Sequence, residues 1–507
     1  MRHRLPKLLR LPSPPLVVLA LVAAGSLTTF GMRADASVSA TAGARATTSG
    51  TVLQTNLVSD LPGVAAATDP NLVNAWGISE SSGSPFWISD NNAGVSTLYQ
   101  VPGAGNAAVS VNPLVVNIPT PTGNTGGTPT GTVFNTDSSN GSFQVTGLNK
   151  NGQKASAPAA FLFVTEDGTI VGWNPGIDPS GQFAGAAGAS ADAAIAVDNS
   201  GNNFTNPDPS QQTGAVYKGL AIATSSTPIV AGDANSTALL YVTDFRAGTV
   251  EVYDTHFKQV TALPAGAFSD PALPAGYAPF NVQVLNGKVY VSYARQNADR
   301  HDDAAGPHRG FVDVFNLDGT PGLPGGNVRL ISRGPLNSPW GLAIAPQGFA
   351  GLSAPGNDPV LLVGNFGDGF IHAFDASTGS QLGQLDDPDG EPIQIDGLWA
   401  LKIGNGAAGG ASNTVYFTAG PFGESHGLFG SLSTVASGSP EGPAEAQWVQ
   451  ANLDVVQLDL QALAQDSASG APLATVKQDA RTLSADTRQL QRVQRAFGKD
   501  AIADTQP

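Results

Sequence analysis

The chain has 507 residues, 61 Gly, 37 Pro, no Cys, only 13% charged side chains and a formal net charge of −16. Without cysteine there is no disulfide, no thiolate catalysis and no Cys-ligated metal, and the acidity disfavours nucleic acid and anionic lipid as partners. So much Gly and Pro with so few charges describes many short strands joined by turns rather than helices.

Arg2, Arg4, Lys7 and Arg10 precede an apolar run over 16–24, and Ala34-Asp35-Ala36 offers a small-residue cleavage site. Together these make residues 1–36 a secretory signal peptide. The apolar run is shorter than the roughly 20 residues that span a bilayer. The expectation is therefore a secreted, periplasmic or extracellular protein with no membrane span in the mature chain. Residues 37–50 are small and polar with no periodicity, which reads as a flexible linker.

From Asn74 to Val101 the order is short apolar run, turn, short apolar run, and it returns five more times. That grammar is the blade of a β-propeller. Blade 1 has strands near 75–79, 85–89, 95–101 and 114–118, and blade 2 near 131–135, 161–165, 169–173 and 194–197. Blade 3 reads 219–223, 239–243 and 249–253 with a weaker segment at 259–263. The strands of blade 4 are 281–285, 288–293, 310–315 and 328–331, and those of blade 5 are 340–344, 360–363, 370–374 and 381–385. Blade 6 has three, 398–403, 414–417 and 427–432. A last blade lacking its outer strand leaves a raw edge, and the lone segment 51–58 supplies the missing strand. Residues 51–435 are thus expected to form an all-β, six-bladed β-propeller closed by an N-terminal strand. Residues 436–507 change grammar: Val449, Leu453, Val456, Leu460 and Leu463, then Leu473, Val476, Ala480, Leu483, Leu490 and Val493, recur at three and four, as in a C-terminal α-helical hairpin.

The stretches NLVNAWGIS (71–79), SPFWISDNNAGVSTLY (84–99), ADRHDDAAGPHRGFVDVFNLDG (298–319), SPWGLAIAP (338–346) and TVYFTAGPFGESHGLFG (414–430) carry a resemblance. Over about 52–433 the chain resembles an uncharacterised family of exported bacterial proteins with an NHL-like, lactonase-like propeller plan. The resemblance implies fold and export and lends no activity.

In a propeller the entries to the inner strands and the turns joining second to third strands gather on one face around the central channel. On that rim Asn74, Asp90, Asn91, Glu166, Asp244, Asn365 and Asp396 are candidate ligand-binding residues. The longest rim loop, 295–309, carries His301, Asp302 and Asp303; with Glu424 and His426 they could offer oxygen and imidazole ligands to Ca²⁺ or another divalent metal. A solvated polar loop neutralised by Arg300 or Arg309 is the competing reading.

The match of 423–427 to G-x-S-x-G lies between two strands, so it lacks the strand-to-helix turn of a nucleophile elbow. The match of 404–409 to a dinucleotide fingerprint has no following helix, so no nucleotide cofactor is expected. Trp76, Trp340 and Trp399, with Phe280, recur at the starts of inner strands, where they wedge between blades or stack on a ligand. Two functions follow as expectations. One is a binding or scaffold module taking a small ligand, glycan or protein partner at the channel face; the other is a metal-dependent hydrolase or lactonase-like enzyme with a cation at the channel mouth.

Overall fold

The computed structural model describes residues 50–103, 108–183, 188–201, 214–388 and 390–435, together with position 463. The chain divides into two units, Met1–Ala46 and Thr47–Pro507, and every described residue belongs to the second. The expected signal peptide, and both expected C-terminal helices apart from position 463, lie outside the described residues. Among the described residues no helix is long and apolar enough to cross a membrane.

The fold is all-β and propeller-like. Successive antiparallel sheets begin with the inner strands Ala75–Ser79, Pro129–Phe134, Tyr217–Thr224, Tyr277–Leu285, Pro339–Ile344 and Leu398–Ile403. Each inner strand touches the next, and Leu398–Ile403 touches Ala75–Ser79, so the cycle closes. We refer to the sheets as first to sixth in this order.

Strands buried on both faces read as continuous apolar runs, because each sheet is covered by its two neighbours. Phe161, Leu162, Phe163 and Val164 show why. Phe161 and Phe163 pack with Trp87 and Leu98 of the first sheet, whereas Leu162 and Val164 pack with Leu240 and Val242 of the third. The period of two along a strand thus feeds two cores. The same division recurs at Leu361 and Val363, which face the fourth sheet, and Leu362, which faces the sixth.

Gly-rich inner strands let the sheets crowd together at the centre. A Cβ at Gly77 would fall 2.3 Å from Thr130 O of the next inner strand, and one at Gly131 would fall 2.5 Å from Leu220 N.

The N-terminal strand is longer than expected, Gly50–Ser59, and pairs antiparallel with Leu428–Thr434 from Val52↔Thr434 to Ser59↔Leu428. It supplies the outer strand of the sixth sheet. Its first residues also pair parallel with the fifth sheet, at Gly50↔Leu385 and Thr51↔Asp386, which the sequence does not announce. Other departures are local. The hairpin Gln144–Leu148 with Lys154–Pro158 is too polar to read as strands. The expected segment 259–263 pairs only at Tyr253↔Gln259, and Pro264 beyond it has no N–H for a ladder. Outer pairing in the first sheet is split between Ser110–Val111 and Val116–Asn117.

Candidate functional site at the channel mouth

Every inner strand carries an irregularity at the same place. Register shifts fall between Ala75 and Ile78, Tyr217 and Leu220, Pro279 and Asn281, Pro339 and Gly341, and Leu398 and Leu401, and opposite Phe163 and Thr165 in the second sheet. A bulge bends its strand and re-aims a side chain. The residues so placed are Trp76, Thr130, Lys218, Phe280, Trp340 and Trp399.

The aromatic members pack on one another. Trp76 stacks on Trp399 with centroids 3.7 Å apart, Trp340 meets both edge-on at 6.4 and 5.9 Å, and Phe280 lies 6.0 Å from Trp399. Phe366 covers Trp399 at 3.9 Å. These side chains belong to one apolar cluster, and the three tryptophans are 1–2% exposed. Rather than wedging between sheets, they form a floor across the inner edges, too buried to stack on a ligand.

Lys218 takes the bulge position in the third sheet. It too is buried, with its ammonium 5.0 Å from the Trp76 ring centroid. The ammonium donates to Glu166 Oε1 and, at 3.4 Å, to Asp302 Oδ1. Burial works against its charge, yet Glu166, Asp302 and Glu424 outweigh that cost and hold its pKa above the ordinary lysine value.

Around this amine runs a connected arc. Asn91 Nδ2 donates to Glu166 Oε2 at 3.0 Å. Asn74 Nδ2 lies 3.4 Å from Asn91 Oδ1 and donates to Glu424 Oε2 at 3.2 Å. Asn74 Oδ1 accepts from Trp399 Nε1 at 2.9 Å. On the other side His301 Nδ1 is 2.8 Å from Asp302 Oδ1 and 3.9 Å from Glu166 Oε1. Backbone is committed here as well: Asn74 and Glu424 both have left-handed φ, +50° and +69°, a conformation that side-chain-bearing residues adopt at a cost of the kind stored at functional sites.

Electrostatics separates the carboxylates. The His301 hydrogen bond, helped by Lys218, pulls Asp302 down to about 2 against the effect of its partial burial. Glu424 is pushed up to about 7, by burial first and then by Glu166, Asp302 and Asp303, with Lys218 opposing. Glu166, His301 and Asp302 each offer a ligand atom within 4.8 Å of the others, a spacing that could hold a metal ion.

Of the residues singled out in the sequence, Asn74, Asn91, Glu166, His301, Asp302 and Glu424 come together here. Asp303 is held close beside them, with its pKa raised by burial. The others serve elsewhere. His426 Nδ1 pairs with Asp60 Oδ2 at 2.7 Å. Asp244 Oδ1 accepts from Ala247 N at 3.0 Å and Val216 N at 3.3 Å, and burial pushes it up to about 7. Asp90 is buried at a strand end, its pKa raised well above the ordinary value by burial and, secondarily, by Asp69. Asn365 Nδ2 donates to Pro335 O at 2.9 Å and Asp368 Oδ1 at 3.0 Å, and Asp396 Oδ2 accepts from Phe422 N at 2.8 Å. Lys218, at an inner-strand entry on the predicted rim, is not among the ligand or metal candidates that the sequence singles out. The signal is present in the alignment of Lys218-Gly219 with Trp76-Gly77 and Trp340-Gly341.

Fold and site together define an all-β, propeller-like protein whose polar mouth is set on an aromatic floor. Comparison with known proteins adds kinship. Uncharacterized protein R648 of Acanthamoeba polyphaga mimivirus is 32% identical over 355 residues, 68% of this chain and 72% of that protein. Uncharacterized protein L690 of the same virus is 30% identical over 358 residues, 68% of this chain and 77% of that one. The chain belongs to the family of these two proteins. Both are viral, where the resemblance in the sequence implies a bacterial family. No family model matches the chain. Among solved structures, the α-L-arabinofuranosidase Arb93A of Fusarium graminearum is similar at 10% identity, over 76% of this chain and 98% of that one, with a TM-score of 0.42.

Proposed function

We propose that this is an exported six-bladed propeller, residues 51–435, that binds a small polar ligand at its channel mouth. The observation that carries the reading is the arc running from Glu424 through Asn74, Asn91, Glu166 and Lys218 to Asp302. Its donors and acceptors are fixed from below by buried neighbours, the preorganisation that a polar binding site requires. Asp302 is exposed and His301 half-buried, so the arc is reachable from outside. Carboxylate, imidazole and amide groups interleaved in this way match a polyhydroxylated ligand, a glycan above all. Residues 1–36 then act as the export signal, 37–50 as a linker and 436–507 as an appended linker and helical hairpin, with nucleic acid excluded as a partner by charge.

Titration calorimetry of the full mature chain against neutral oligosaccharides, amino sugars and sugar acids tests the reading. Saturable binding by one class, lost on His301→Ala and Asp302→Asn, is the expected result. A folded protein that binds none of the three classes overturns it.

The metal-dependent hydrolase is the second reading, favoured by the spacing of Glu166, His301 and Asp302. A divalent ion there would polarise a substrate oxygen or a bound water. Against it stands Lys218, whose ammonium already lies between the two carboxylates.

A further inference from the structure

The oxygens that could grip an ion at the mouth are Glu166 Oε1 and Asp302 Oδ1, with His301 Nδ1 beside them. Both of these oxygens accept from Lys218 Nζ. We propose that Lys218 is the built-in cation of this mouth, standing where a divalent ion would stand, and that a metal site on Glu166, His301 and Asp302 exists only when the ammonium is removed.

Four considerations support the assignment. The amine donates to two carboxylates and has the face of Trp76 near it, a disposition that favours a cation. It cannot easily withdraw, because Lys218 is 1% exposed and rooted in a strand bulge between packed sheets. An arriving divalent ion would share its ligands with a positive charge in partial burial, where screening by water is weak. In the other sheets the equivalent bulge positions hold aromatic side chains or Thr130, so the lysine is a local departure from the repeat, set where the acids converge.

The consequence is a mouth whose carboxylates are neutralised from within. It would neither need a metal to fold nor respond to one, and its ligand would be chosen by hydrogen bonding rather than by a shared ion. The proposal does not depend on the glycan reading, since its test uses metal alone.

The experiment compares the full mature chain with Lys218→Ala and Lys218→Met, by calorimetric titration and thermal melting with Ca²⁺ and with Zn²⁺, each with a chelator control. The parent should bind neither ion at the mouth and melt identically in all buffers. Each variant should acquire one-to-one binding of at least one ion and a chelator-reversible rise in melting temperature, both lost on adding Glu166→Gln. If the variants do not fold in metal-free buffer, refolding is read with each ion present; recovery supports the proposal and failure to recover overturns it. Folded variants that stay indifferent to both ions also overturn it, as does a parent protein that binds an ion in a manner abolished by Glu166→Gln.

Discussion

Trp399 Nε1 donates to Asn74 Oδ1 at 2.9 Å, and this bond fastens the aromatic floor to the polar arc above it. The indole comes from the sixth sheet and the amide from the entry to the first, so the same contact spans the point where the cycle closes.

Trp399→Phe should keep most of the packing and strand the Asn74 carbonyl in a buried place, a loss of about 1–3 kcal/mol. Trp399→Ala should lose about 3–5 kcal/mol, because stacking on Trp76 and Phe366 goes as well. Denaturant unfolding of the two variants checks the order. Equal stability of Trp399→Phe and parent would mean that the bond carries nothing.

Lys218 and Glu166 form a pair with side chains 2% and 11% exposed. Breaking such a pair from one side removes the main partner of a buried charge, though Asp302 stays at 3.4 Å from Lys218 and Asn91 at 3.0 Å from Glu166, so Glu166→Gln and Lys218→Met should each destabilise by up to roughly 3–5 kcal/mol. The double substitution should recover part of the loss, since no orphaned partner of the pair remains. Strictly additive losses in the double-mutant cycle would refute the coupling.

Glu424 predicts a pH dependence. An acid whose pKa rises from 4.5 to about 7 on folding holds its proton more tightly when folded. Its contribution to stability is therefore complete below pH 4.5 and is lost as pH rises through 7. Glu424→Gln keeps an acceptor for Asn74 and removes the titration. It should match the parent near pH 4.5 and exceed it by up to ~3 kcal/mol at pH 8. Asp244 and Asp313, also raised to about 7, tilt both proteins alike, so the difference between them isolates Glu424. A constant difference across pH would count against the assignment.

Deleting residues 51–58 should strip the edge of Leu428–Thr434 and open the core around Val52 and Leu432. The expected outcome is aggregation or oligomers on size exclusion, as a bare edge pairs with whatever is near. A monomer with unchanged melting would show that the N-terminal strand is dispensable.

The sheets were legible because each covered strand must be apolar on both sides, and runs such as Phe161 to Val164 or Val360 to Val363 announce themselves. The closing role of the N-terminal strand followed from counting strands. Gathering of Asn74, Asn91, Glu166, His301, Asp302 and Glu424 was legible from their place at inner-strand entries and in the turns joining second to third strands. What sequence could not rank was which rim residues reach one another. Asp90, Asp244 and Asn365 occupy equivalent strand ends and look as suitable as Glu166, yet Asp244 and Asn365 are spent on their own turns and Asp90 is sealed from solvent. Lys218 stands at an inner-strand entry on the same rim, but nothing in the sequence says that its side chain turns inward. Only the bulge, which depends on pairing between strands, turns it inward.

The pairing of Gly50–Ser59 with Leu428–Thr434 also sets the timetable of folding. Ser59 and Gly427, joined through Ser59 Oγ at 2.9 Å, are 368 residues apart in sequence. Among the described residues the first strand has its main partner in the last, so synthesis runs far ahead of closure. Until the fifth and sixth sheets are made, this strand has among the described residues only the short parallel pairing Val58↔Ala67 and Ser59↔Thr68, and contacts so distant in sequence make closure a late event. The Ser59–Gly427 contact therefore reports whether the cycle of sheets has closed.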